Sequence, residues 1–154
     1  MELEKLLKVI DLILALQTWL EELHLTAKEY SLHLLAERLQ DGFTNYKDEI
    51  REIIISLHDN SLPFADAKRN IKAAAEILSL IPDGEKTKLD YLDYTQQLYD
   101  KLLDTTARMA APVPLRKVLD DLCAKLSRDI YLINQSIKGA EEDERARNEQ
   151  ATNA

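Results

Sequence analysis

The chain has 154 residues, which is enough for one domain with a genuine hydrophobic core, and its 45% hydrophobic and 31% charged content is that of a soluble globular protein. Only three glycines and four prolines are available for turns, and the dominance of Leu, Ala, Glu and Lys favours long helices over sheets. A net charge of −8, with no run of Lys and Arg, argues against wrapping on phosphate backbones, and no uncharged apolar stretch is long enough to span a membrane.

The single cysteine, Cys123, cannot form an internal disulfide, which suits a reducing compartment. The N-terminal segment carries acids inside its apolar periodicity and does not read as a signal peptide, so a cytoplasmic location is expected.

Helical spacing of Leu6, Leu7, Ile10, Ile13, Leu14, Leu16, Leu20 and Leu23 predicts a first helix from about Glu2 to His24. Thr26 and Glu29 match a capping box, and Leu25 with Tyr30 occupies the positions of a hydrophobic staple. A second helix is expected from Ala27 to about His58, with Gly42 near its middle at a cost of about 1 kcal/mol. Asn60-Ser61-Leu62-Pro63 reads as a stop and start, followed by a shorter helix from Phe64 to Leu80 and a turn at Pro82-Asp83-Gly84. Thr87 with Asp90 opens a further helix to about Ala110, which Pro112 and Pro114 end. The last helix is placed at Leu115 to Lys138, with Gly139 at its C′ position.

Residues 1–139 are therefore expected to form the bundle and 140–154 a disordered, charged tail. Two long helices, a connection of about 28 residues with its own short helix, and two more long helices give an all-α class. The expected architecture is a ferritin-like antiparallel four-helix bundle with a short extra helix in the long middle crossover. Periodicity alone leaves other helical bundles open.

Chemistry concentrates between His24 and Glu52. His33 and Glu37 lie one turn apart, as do Asp48 and Glu52, and a mixed imidazole and carboxylate set suits Fe(II) and related divalent ions. On one straight helix, positions 33 and 48 are about 22 Å apart, yet they point within about 60° of the same direction. One metal cannot touch both pairs of a single chain. Two copies packed antiparallel about a two-fold axis would bring His33 and Glu37 of one chain to Asp48 and Glu52 of the other. Gly42 would then lie at the crossing, where a glycine permits close backbone approach.

This segment resembles the DNA-protection-during-starvation (Dps) family of ferritin-like proteins. His33 matches the family's second ligand histidine and Glu37 an acidic position one turn later. Asp48 and Glu52 stand at the family's Asp-x-x-x-Glu spacing. The stretch Leu126-Ser127-Arg128-Asp129-Ile130, running on to Ile137, is similar to the family's last helix. At the family's usual first-histidine spacing this chain has Glu21, and the available histidine is His24, nine residues before His33.

The resemblance implies an inter-subunit site in which His24, His33, Glu37, Asp48 and Glu52 bind non-haem iron (Fe2+/Fe3+). It also implies ferroxidase and iron-sequestration activity with protection against oxidative stress. The partner would be a second copy, giving at least a two-fold dimer, and a dodecameric shell of such dimers could store the ferric product. The basic N-terminal arm that many family members use on DNA is missing, so direct DNA binding is not expected. The competing expectation is a non-catalytic structural or interaction protein on the same bundle.

Other candidates have plainer readings. Trp19, Tyr46, Tyr91, Tyr94 and Tyr99 suit packing, His58 a helix C-terminus, and Asp120 and Asp121 an early-helix dipole position. Cys123 falls on an apolar stripe and is expected to be buried.

Overall fold

The computed structural model describes residues 3–57 and 64–153. Six helices account for nearly all of them: α1 (Leu3–Thr26), α2 (Tyr30–Gln40), α3 (Phe43–Leu57), α4 (Phe64–Ser79), α5 (Lys88–Ala107) and α6 (Val113–Asn153). No strand occurs among the described residues. None of their helices is long and apolar enough to cross a membrane. The expected features at His58 and at Asn60-Ser61-Leu62-Pro63 lie outside the described residues.

Helix α1 is the hub, because it packs against α2, α3, α4 and α5. That position explains its composition: Leu6, Val9, Ile10, Leu12, Ile13, Ala15, Leu16 and Leu20 are all buried, and a helix apolar on nearly every side has to be an internal one.

Side-chain contacts set the directions of the others. Trp19 Nε1 donates to Thr95 Oγ1 at 2.8 Å, pairing the end of α1 with the start of α5. Lys88, which opens α5, reaches Glu29 at 3.2 Å and Ser31 at 2.9 Å, where α2 begins. Helices α2–α3 and α5 therefore start at the same end of the bundle and run the same way. Because α3 finishes at the opposite end, α4 has to carry the chain back, and it does so packed on α1. Helix α6 then returns antiparallel to α5, with Ala140 in the small cluster that holds Leu23, Leu32, Ala36 and Leu92. The order is up, down, crossover, down, up.

The capping box at Thr87 is formed as expected: its hydroxyl accepts from the Asp90 amide and the Asp90 carboxylate accepts from the Thr87 amide. At Thr26 the same pattern fails. Its hydroxyl donates back to the Glu22 carbonyl at 2.7 Å and prolongs α1, while Glu29 stands at the N-cap of α2 without a side-chain cap bond. Ending α1 at His24 and capping α2 at Thr26 would leave Leu25 alone to span antiparallel axes about 8–10 Å apart. The reversal instead uses Ala27, Lys28 and Glu29. Leu25 and Tyr30 are exposed and form no staple.

Two further corrections concern length. The expected second helix is broken at Asp41-Gly42, where Gly42 takes φ +88°, a region that residues with a Cβ rarely adopt. A Cβ there would meet only ordinary contacts, the nearest at 3.5 Å, so this glycine serves the backbone turn and not a close approach within the chain. Helix α6 does not stop at Gly139. It runs 41 residues to Asn153, where a disordered tail was expected. Residues 141–152 are exposed, and good helix formers with Glu141 four positions before Arg145 and Asp143 four before Arg147 carry the helix without a core.

Asp11 is the anomaly of α1. It is 6% exposed, its Oδ1 has no hydrogen-bond partner, and burial raises its pKa from 3.8 to about 6, against the opposing pull of Arg69 and Lys8. A carboxyl whose pKa is raised on folding stabilises the fold below about pH 4, and that stability is lost as pH rises through about 6. Asp11→Asn should therefore melt higher than the parent at pH 8, by about 3–6 °C. The advantage should grow between about pH 4 and 6 and stay flat above, as followed by calorimetry across pH.

Candidate metal centre

The three-residue reversal between α1 and α2 builds the candidate site. It folds the start of α2 back beside the last turn of α1, so that His24 and His33 meet with ring centroids 4.1 Å apart and planes 22° apart. His33 Nδ1 donates to the His24 carbonyl at 2.6 Å, and His24 Nδ1 approaches the His33 carbonyl at 3.4 Å. The His24 carbonyl belongs to the last turn of α1, which lacks intrahelical partners. A carbonyl only accepts, so the neutral tautomer that suits these contacts carries its proton on Nδ1 and leaves Nε2 as the nitrogen that could bind a metal. This is the usual way in which a ligand histidine is oriented and its tautomer fixed.

Glu37, one turn beyond His33, completes the group: one ligand atom from each of His24, His33 and Glu37 lies within 4.8 Å of the other two. Ligand bonds of about 2.0–2.2 Å would require only a small side-chain closure around an ion. Two imidazole nitrogens and one carboxylate, with other coordination positions open, form a donor set suited to Fe(II). The histidines are half-buried and Glu37 is exposed, so the open side faces outward. Glu21, exposed on α1, is not among these three.

Asp48 and Glu52 are not brought to this group. Both are exposed on α3, beyond the break at Asp41-Gly42, and thus belong to a different helix from His33 and Glu37. The other side chains singled out above are largely structural. Trp19 packs tilted on Tyr91 and edge-on to Tyr94, with centroids at 5.9 and 6.3 Å, and the Tyr46 hydroxyl reaches the Asp121 carbonyl at 3.4 Å. Cys123 is half-buried, not buried as expected, and both burial and Asp120 push its thiol pKa up, away from reactivity.

Sequence reasoning missed the apolar surround of the site. Tyr30 is 74% exposed and stacks beside the His33 ring at 6.2 Å, and Leu25 and Leu34 are 69% and 44% exposed on the same hairpin. Tyr30 and Leu34, four residues apart on α2, share a face, and that spacing was the available signal. Comparison with protein-family profiles, with curated proteins and with solved structures finds no match to this chain.

Single substitutions should separate the two candidates for the first ligand. His24→Ala and His33→Ala are each expected to weaken Co(II) binding by on the order of 10–100-fold, with Glu21→Gln close to the parent. Isothermal titration reads the difference, and a loss confined to Glu21→Gln would move the ligand to that position.

Proposed function

We propose that the chain is a Dps-like, ferritin-like iron-binding protein that captures Fe(II) at His24, His33 and Glu37 and promotes its oxidation. The observation that carries this reading is the donor set itself, two imidazoles and a carboxylate that each offer one ligand atom within 4.8 Å of the other two. The up, down, crossover, down, up order supports it, since one long crossover distinguishes ferritin-like bundles from simple up-and-down ones.

A second copy would complete the site. Asp48 and Glu52 of the partner would add hard oxygen donors and offset the metal's charge as Fe(III) forms. The exposed Leu25, Tyr30 and Leu34 supply apolar surface for such a contact beside the metal ligands. In this scheme Fe(II) is a substrate. Two Fe(II) ions would together give two electrons to one peroxide, which with two protons leaves as two waters, while the residues hold the ions and leave an open position for the oxidant. Shell formation and ferric storage extend the same proposal. With a net charge of −8, protection of nucleic acid would come from removing Fe(II) and oxidant, not from direct binding.

The alternative is a non-catalytic module on the same bundle. The solvent exposure of Asp48 and Glu52 in the single chain favours that alternative.

Anaerobic Fe(II) titration followed by peroxide, with sedimentation equilibrium on the same sample, tests the proposal. The parent is expected to bind and oxidise Fe(II) as a dimer or larger, and His33→Ala/Asp48→Ala to lose both activities. If that double variant matches the parent, the metal assignment fails.

A further inference from the structure

We propose that Lys125, with Asp129 and Tyr99, locks the elbow between α2 and α3 and so acts as a positioning residue for the side chains that these two helices present. Its consequence for metal binding rests on the two-copy reading above; the lock itself does not.

A break in a helix leaves carbonyls that the next turn no longer satisfies, and although Asp41 and Gly42 are exposed, Leu39 and Phe43 on either side of them face the core. Leu39, two residues before Asp41, is 1% exposed. In a continuous helix its carbonyl would take the amide of Phe43. Here Lys125 Nζ donates to it at 3.2 Å, and the same ammonium lies 4.4 Å from the centre of the Phe43 ring. Leu39 belongs to α2 and Phe43 is the first residue of α3, so one cation on α6 holds both sides of the break. Its stem fits the turn as well: Lys125 Cδ and Cε lie 3.8 and 3.9 Å from where a Cβ on Gly42 would stand.

The charge is held in turn. Asp129, one turn further along α6, accepts from Lys125 Nζ at 2.6 Å and from the Tyr99 hydroxyl at 2.8 Å. The Tyr99 hydroxyl also lies 3.4 Å from the Leu39 carbonyl, but it has a single proton and the shorter contact is to Asp129. Burial and Asp129 raise the Tyr99 pKa well above its usual value, so it remains a donor. Tyr99, Lys125 and Asp129 are all buried. A buried ion pair gains little for stability compared with apolar packing of the same volume, and its best-attested use is to fix one arrangement among several. Here the arrangement fixed is the angle between the helix bearing His33 and Glu37 and the helix bearing Asp48 and Glu52.

The test uses the full chain with spin labels on Arg38→Cys and Ser56→Cys in a Cys123→Ser background, together with amide exchange. Lys125→Met leaves Asp129 without its cation and carries some risk of misfolding. Lys125→Met/Asp129→Leu removes the pair as a unit and is expected to stay folded. In both, exchange of amides 39–46 should rise about tenfold, the factor that one charge-assisted hydrogen bond supplies, and the interlabel distance distribution should widen. Leu6→Ala, which empties a fully buried position elsewhere on α1, should lower the melting temperature and leave both readouts unchanged.

If the double variant keeps the parent's narrow distribution and slow exchange, or if Leu6→Ala loosens the elbow equally, the lock is overturned. Co(II) titration of the same proteins separates the two proposals. Weakened binding alongside a widened elbow supports both. An elbow that loosens in a protein whose parent binds no Co(II) supports the lock and removes the metal assignment alone.

Discussion

A helix interrupted inside a bundle survives only if something other than its own next turn takes the carbonyls that the interruption frees. In this chain the Leu39 carbonyl accepts from Lys125, and on the account proposed above that bond fixes how the two segments sit. With that carbonyl bonded, α2 and α3 pack on α1 as two separate segments, and α3 also packs on α6. Because the interruption lies midway between His33-Glu37 and Asp48-Glu52, one strand of the bundle carries two chemically distinct pairs on two independently placed segments. The proposal of a second copy does not depend on a straight helix. A bent connection no more brings the pairs into contact than a straight one does.

The hairpin contributes the other half. An antiparallel turn of three residues leaves α1 ending in carbonyls without partners, and His33 uses one of them to orient its ring. The stacked imidazoles and the reach of Glu37 thus result from ordinary helix-end bookkeeping combined with a short loop. Around them Leu25, Tyr30 and Leu34 are exposed to solvent.

Much of this was legible in the sequence, and the failures have physical causes. The five expected helices cover α1 to α5 and the first part of α6, and the Thr87-Asp90 box opens α5 as its residues suggest. The break at Gly42 left no trace in the periodicity. The buried Leu32, Ala36, Leu39, Phe43, Ile50 and Ile54 keep steps of three and four, or their sums, through it, so the apolar phase continues across a chain that bends. The Thr26-Glu29 box was misleading because a capping pattern does not measure whether the loop before it is long enough. The far end of α6 was hidden for the opposite reason: its helix has propensity and charge spacing but no apolar stripe to announce it. Of the site, the one-turn spacing of His33 and Glu37 was visible, whereas the approach of His24 depended on loop length. The lock could be seen only as Lys125 and Asp129 set four apart on an otherwise apolar stripe with Leu122, Leu126 and Ile133.

Complementation between two defective chains tests the central claim most directly. One chain carries His33→Ala/Glu37→Ala and the other Asp48→Ala/Glu52→Ala, and each is assayed for Fe(II) oxidation alone and after unfolding and refolding together. In a two-fold pair of unlike chains, one of the two sites inherits every intact ligand while the other keeps only His24. The expected outcome is no activity from either alone and recovery on mixing of about a quarter of the parental rate, because half of the randomly formed pairs are mixed and each has one working site. No recovery on mixing, or full activity from either variant alone, would contradict a site shared between two copies.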